Sequence, residues 1–218
     1  MQTTLAEAAL LLGTSPRAAR YQAHSGALGQ VREVGGTLLV DAHSLTALRR
    51  SRGRGRRWNA ATRATALALL DGRADRYLDS SATSRLRSVL RALDAAGFAY
   101  RMGNIGIAGH YSFAQGTARE LARRVTRSGA SALDSQTLAD LGVEPDRTRL
   151  IGYTDDLGGL ADDFLLNLDD DGGLLLIETL ELPHAGAALY LLDGYLYGDA
   201  RVSGACGREL ERRLAAVA

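Results

Sequence analysis

The chain has 218 residues, 46% of them hydrophobic, enough for one to three small domains with real cores and unlike a collagen-like, coiled-coil or wholly disordered chain. Its 26 basic and 25 acidic residues nearly cancel, but they are sorted by position. Residues 1–66 hold ten Arg against three acids, residues 67–130 ten against five, and residues 131–218 six against seventeen, so the chain is a charge dipole of +12 and −11 along its sequence.

No apolar run approaches the roughly 18 residues of a membrane span, and Glu7 with no basic start argues against a signal peptide. The sequence therefore predicts a cytoplasmic protein with no membrane partner. The single cysteine, Cys206, excludes an intrachain disulfide framework and a Cys-cluster zinc site. It lies in the apolar series Val202, Cys206, Leu210, Leu214, Val217 and reads as a packed core thiol. Every basic residue is Arg, which genome composition explains as readily as a need for forked donors.

In chain order, residues 4–12 carry Leu5, Ala8, Ala9 and Leu12 at helical spacing, and Gly13 ends that run. Ser15 as N-cap and Pro16 at the first helical position start a second helix. There Ala19 and Ala23 face inward, while Arg17, Arg20, Tyr21 and His24 recur at i, i+3, i+4 and i+7 on one outward face. Gln30–Val34 and Thr37–Val40 read as strands joined by Gly35-Gly36, a wing that carries Arg32. Asp41 to Ser44 cap a closing helix through Leu45 and Leu48.

This order resembles the winged helix-turn-helix of the MerR and excisionase families over about the first 50 residues. The resemblance is carried by Leu5-Ala6-Glu7-Ala8-Ala9, Gly13, Ser15, Arg17, Arg20-Tyr21, Gly26 and Leu28. It implies that the second helix enters the major groove of double-stranded DNA and that the wing contacts the backbone. Ser15, Arg17, Arg20, Tyr21 and His24 then form the DNA face, with Arg32 on the wing; Arg serves a guanine edge or a phosphate equally well.

Residues 49–58 hold six Arg in ten positions with two glycines and cannot form a core of their own. Arg52-Gly53-Arg54 resembles the centre of an AT-hook without its following Pro. A pliable basic linker held to phosphates by counterion release, with Arg56 as a third contact, is the other reading. Trp58 is expected to anchor the next helical segment. Helices are expected from Asn59 to Leu70 and from about Ala82 to Ala95, ended by Gly97. Phe98–Met102, Ile105–Ile107 and Tyr111–Phe113 alternate like strands, so two helices and a sheet would make a second, degenerate winged helix exposing Arg85, Arg87 and Arg91.

A helix near Ala118–Arg127 is followed by strands expected at Arg149–Tyr153, Phe164–Leu168 and Leu174–Leu180, then by helices at about Ala185–Leu192 and Ala200–Ala216. Asp169-Asp170-Asp171 with Gly172-Gly173 reads as a hairpin turn and not as metal carboxylates. No Ser-His-Asp, Cys-His or HExxH arrangement is present, and His110 and His184 stand alone, so the residues point to no catalysis, no metal and no cofactor.

The expected fold class is α+β: a winged helix-turn-helix at 1–50, an Arg-rich linker at 51–58, a helical middle segment with a small sheet at 59–116, and an acidic α+β interaction domain at 117–218. That layout resembles type IV antitoxins of the AbiE kind, through Ser128-Gly129-Ala130-Ser131-Ala132, the strand near Arg149–Tyr153, and the ending from Ala188-Leu189-Tyr190-Leu191-Leu192 to Gly207-Arg208-Glu209-Leu210. It implies an autorepressor on its own promoter or operator, with a nucleotidyltransferase-type toxin as cognate partner. The alternatives are a ligand-sensing MerR-like regulator and a phage-type excisionase or recombination directionality factor. Winged helices of this type commonly read paired half-sites as dimers, but no heptad pattern supplies a dimer arm, so a homodimer, or cooperative tandem binding, would have to come from the middle or carboxy-terminal segments.

Overall fold

A computed structural model describes residues 2–74, 77–103, 105–144 and 149–217. The fold class is α+β. The chain divides into two compact units, each made of three separated segments: Met1–Arg49, Asn104–Arg127 and Arg147–Leu182 in the first, and Arg50–Gly103, Ser128–Asp146 and Pro183–Ala218 in the second.

The first visit to unit one builds β1 (Gln2–Thr4), α1 (Leu5–Leu12), α2 (Pro16–His24), β2 (Val31–Val34), β3 (Thr37–Asp41) and α3 (Ala42–Arg50). The second unit then receives α4 (Ala60–Leu70), α5 (Ser80–Arg91) and α6 (Ala95–Met102). Back in unit one come β4 (Ile107–Ser112), α7 (Ala118–Arg124) and β5 (Thr126–Ser128), and unit two takes α8 (Ser135–Asp140). Unit one closes with β6 (Leu150–Thr154), α9 (Leu157–Phe164), β7 (Asn167–Leu168) and β8 (Leu174–Glu178), and unit two with α10 (Ala187–Tyr197) and α11 (Ala200–Ala215).

In unit one, α1 starts with a reciprocal cap: Glu7 N–H donates to Thr4 Oγ1 at 3.2 Å and Thr4 N–H to Glu7 Oε2 at 2.9 Å. Gly13, at φ +63°, ends it, and Ser15 Oγ then accepts from Ala18 N–H at 3.2 Å to start α2, with Pro16 in the first turn. Strands β2 and β3 form a hairpin whose central residues, Gly35 and Gly36, both have positive φ, as a type I′ turn requires. β1, which the sequence did not announce, pairs antiparallel with the other edge of β3. Ala8, Ala23, Leu28, Val40 and Leu45 make the core under these elements, where each fully buried large aliphatic side chain contributes roughly 1.5–3 kcal/mol.

The second sheet of this unit has the order β5-β6-β8-β4-β7. β6 runs parallel to β8, and β4 runs antiparallel to β8, with Ile107 opposite Glu178 and Tyr111 opposite Leu174. β8 sits centrally, so Leu174, Leu175, Leu176 and Ile177 are all buried, the continuous apolar run that two covered faces demand. Tyr111, Leu121, Leu160 and Phe164 pack with Leu174 and Leu176.

Several expectations are corrected here. Residues 157–164 are helix, started by Asp156 accepting from Gly159 N–H at 2.9 Å, which leaves only Asn167–Leu168 as strand. Residues 169–173 are not a hairpin turn: β4 lies between β7 and β8, and the segment crosses over it. Gly172 permits that crossing, since a Cβ there would lie 2.2 Å from the Tyr111 carbonyl carbon. In the middle segment, Phe98–Met102 is helix. Asp94 accepts from Gly97 N–H at 2.7 Å and starts α6, so Gly97 lies inside a helix and ends none. The second winged helix dissolves accordingly, because α4–α6 belong to unit two while β4 is a strand of the five-stranded sheet in unit one. For the same reason 59–116 and 117–218 each divide between the units.

In unit two, α10 is the central helix, with Ala188, Leu189, Leu191, Leu192, Asp193, Gly194 and Leu196 buried. Its amino end, where Gly186 supplies no side chain, is capped by Asp71, which accepts from Ala188 N–H at 2.8 Å and pairs with Arg73 and Arg213. Asp193 accepts a buried hydrogen bond from Ser128 Oγ. Gly194 lets α11 approach α10 closely, since a Cβ there would lie 2.6 Å from Cys206 Sγ. Cys206 is buried as its stripe predicts, and burial pushes its thiol up to about 12.

The interleaving also cancels the charge dipole. Unit one carries 10 Arg against 13 acids, net −3, and unit two 16 Arg against 12, net +4. Several acids of the negative half, among them Asp134, Asp156 and Asp199, accept from backbone N–H groups at helix starts.

Candidate nucleic-acid interface

Helix α2 is fixed from beneath by Ala19 and Ala23, both buried, and from its start by Ser15 and Pro16. Arg17, Arg20 and His24 are exposed, and Tyr21 is 75% exposed. These four side chains make no hydrogen bond or ion pair among the described residues, so the helix presents them unengaged. The Ser15 hydroxyl is occupied by its capping bond. Arg32 is exposed on β2, opposite Leu39 of β3.

From Arg50 on, the arginine tract belongs to unit two and packs against it instead of hanging free as a linker. Arg50 donates through Nη1 to the carbonyls of Tyr195, Leu196 and Gly198 at 3.1, 2.8 and 2.7 Å, capping the carboxy end of α10. Residues 53–58 lie against α6. A Cβ at Gly53 would sit 2.8 Å from Tyr100 Cβ, and one at Gly55 2.6 Å from Arg101 Nη2. Arg101 donates to the Arg56 carbonyl at 3.0 Å, Trp58 N–H donates to the Arg101 carbonyl at 2.8 Å, and the Arg57 guanidinium lies over the Tyr100 ring at 5.8 Å. Trp58 meets Phe98 edge-on. Arg52, Arg54 and Arg56 keep their side chains exposed.

Sequence reasoning missed one cluster in unit one. His110 on β4 is not alone: its ring is 4.5 Å from that of His43, and its Nδ1 lies 3.3 Å from Asp41 Oδ2 without hydrogen-bond alignment. Asp41 also accepts from the N–H groups of His43 and Ser44 and from Ser44 Oγ. Burial opposes its ionisation most strongly, yet the His110 ring and the two backbone donors outweigh burial and hold Asp41 at about 2. Burial and His110 lower His43. Beside them Gln30 Nε2 donates to Tyr111 Oη at 2.6 Å, and burial pushes Tyr111 up to about 12. The group joins Asp41, His43 and Ser44 to His110 and Tyr111, which lie far along the chain, so no local spacing announces it.

Among the described residues, no three His, Cys, Asp or Glu side chains are placed to hold a metal ion, and no helix is long and apolar enough to cross a membrane. No protein-family model, curated protein or solved structure matches this chain.

Proposed function

We propose that this chain is a sequence-specific, double-stranded DNA-binding transcriptional regulator acting on its own promoter or operator, with α1, α2 and the β2–β3 hairpin as a winged helix-turn-helix. The observation that carries the reading is α2 itself: a capped helix after a three-residue turn, apolar beneath, with Arg17, Arg20, Tyr21 and His24 free on the outer face. A helix of about 10–12 Å diameter suits a major groove about 12 Å wide. Arg32 on the neighbouring hairpin suits a backbone contact.

The test is binding of the full chain to its upstream DNA and to a scrambled duplex of the same length, across a salt series. Preference for the upstream duplex, lost in Arg17→Ala and Arg20→Ala, supports the reading. Equal binding of both duplexes by the parent chain overturns it.

A protein partner such as a nucleotidyltransferase-type toxin is the second reading. It is favoured by Leu180, 104% exposed, and Leu182, 44% exposed, which flank Glu181 in the segment after β8. A complex with the product of the adjacent gene that is lost in a Leu180→Ser, Leu182→Ser double variant would support it.

A further inference from the structure

We infer that Arg52, Arg54 and Arg56 form a pre-ordered clamp for the phosphodiester backbone of duplex DNA, indifferent to base sequence and distinct from a minor-groove hook, so that unit two is a second DNA-contacting body. The inference rests on the regulator reading for the identity of the nucleic acid. It takes its geometry from the strap alone.

Five of the six arginines of residues 49–57 lie in unit two and divide by role. Arg50 is consumed by three carbonyls and Arg57 by the Tyr100 ring. Arg52, Arg54 and Arg56 are exposed, with no side-chain partner among the described residues. Their backbone is tied down at Arg50, whose carbonyl accepts from Tyr195 Oη at 3.0 Å, at Arg56, and at Trp58. Gly53 presses against the base of the Tyr100 side chain with no room for a Cβ, and Gly55, at φ +95°, lies beside the Arg101 guanidinium.

Two consequences follow from that placement. A hook must sink its backbone between the walls of a narrow groove, and a strap with one side against α6 cannot do so. Arginines two positions apart lie within about 7 Å of each other along the chain, so the three span at most about 14 Å. One strand carries a phosphate every 3.4 Å of helix axis, roughly four over that length. A fixed backbone also loses less freedom on binding than a pliable linker would. The net charge of unit two, +4, has the sign such a contact needs.

The experiment compares the parent full chain with R52A/R54A/R56A and R52K/R54K/R56K variants on upstream, scrambled, A·T-only and G·C-only duplexes, reading log K against log salt. The alanine variant should reduce the salt slope by about 2–3 on all four duplexes, near 0.9 per phosphate contact, and leave the upstream-to-scrambled ratio within about twofold of the parent. The lysine variant should keep the parent slope. An unchanged slope in the alanine variant, a loss confined to the A·T duplex, or a lysine variant as weak as the alanine one overturns the clamp. If the parent chain does not prefer its upstream duplex but the alanine variant still lowers the slope, the regulator reading falls and the clamp stands.

Discussion

Asp41 Oδ2 lies 3.3 Å from His110 Nδ1, which sets the start of α3 against β4, two elements far apart in the chain. The contact makes stability depend on acid in a defined direction. Unfolded Asp takes up its proton near pH 3.9, and folded Asp41 only near 2. Stability from this group is therefore complete above about pH 4 and is lost as pH falls toward 2, about 2 kcal/mol in all. His43 is lowered, so the unfolded state binds its proton first and stability also declines below about pH 6.5. Urea midpoints from pH 8 to 2 should fall in both windows, and Asp41→Ala should cost about 2 kcal/mol at pH 7 and flatten the lower window. An acid limb unchanged in Asp41→Ala would contradict this account.

The arginines of the tract should separate on denaturation. Arg50→Ala removes the side-chain donor to the Leu196 and Gly198 carbonyls at the end of α10, the Tyr195 carbonyl keeping its bond from Ser203 Oγ, and should cost about 2 kcal/mol. Arg52→Ala removes an exposed side chain and should change stability by less than about 0.5 kcal/mol. Equal costs would show that the three-carbonyl cap is not what Arg50 contributes.

Gly194 and Cys206 are a contact pair that a double-mutant cycle can read. Gly194→Ala drives a methyl into the Cys206 sulfur and should cost about 1–3 kcal/mol; in a Cys206→Ala background that cost should shrink by at least half. The native thiol, buried with its ionisation pushed to about 12, should react with a thiol reagent at pH 8 only as fast as the protein opens.

Leu165 ends α9 at φ +50° and is 78% exposed, a left-handed cap occupied by a residue that pays for it in steric strain. Leu165→Gly should raise the unfolding free energy by about 0.5–1 kcal/mol, read as a higher urea midpoint. A loss of stability would mean that Leu165 makes contacts outweighing the strain.

On the α2 face, a residue that reads a base edge and one that holds a phosphate differ in signature. Loss of a base contact through Arg17→Ala or Arg20→Ala should cost about 1–3 kcal/mol on the upstream duplex and relax its preference. Arg32→Ala should weaken all duplexes alike and lower the salt slope by about 1. Competition titrations at two salt concentrations distinguish these outcomes.

Local chemistry was the legible part of the fold. The Ser15 cap, the Gly35-Gly36 turn, the Asp41 cap and the Cys206 stripe each depend on residues a few positions apart, and each stands as read. Phe98 to Met102 misled because Phe98, Tyr100 and Met102 satisfy a period of two while Phe98, Ala99 and Met102 satisfy a helical face. The Asp94 cap decides between them. Residues 169–173 misled because turn chemistry is the same whether a loop joins neighbouring strands or steps over one. His110 beside Asp41, and the strap against Tyr100, depend on which distant segments share a unit, and spacing carries no signal of that.

Because each unit is threaded from three stretches of chain, neither can be released by a single cut. During synthesis the amino-terminal elements can close on their own core of Ala8, Ala23, Leu28, Val40 and Leu45, but the five-stranded sheet that includes β4 lacks its central strand until residue 178 has left the ribosome. Unit two waits longer, for α11. The two units should therefore close in order, the five-stranded sheet once residue 178 is made and unit two only with α11, so a chain cut between Leu182 and α10 should retain the sheet but lack two helices of unit two.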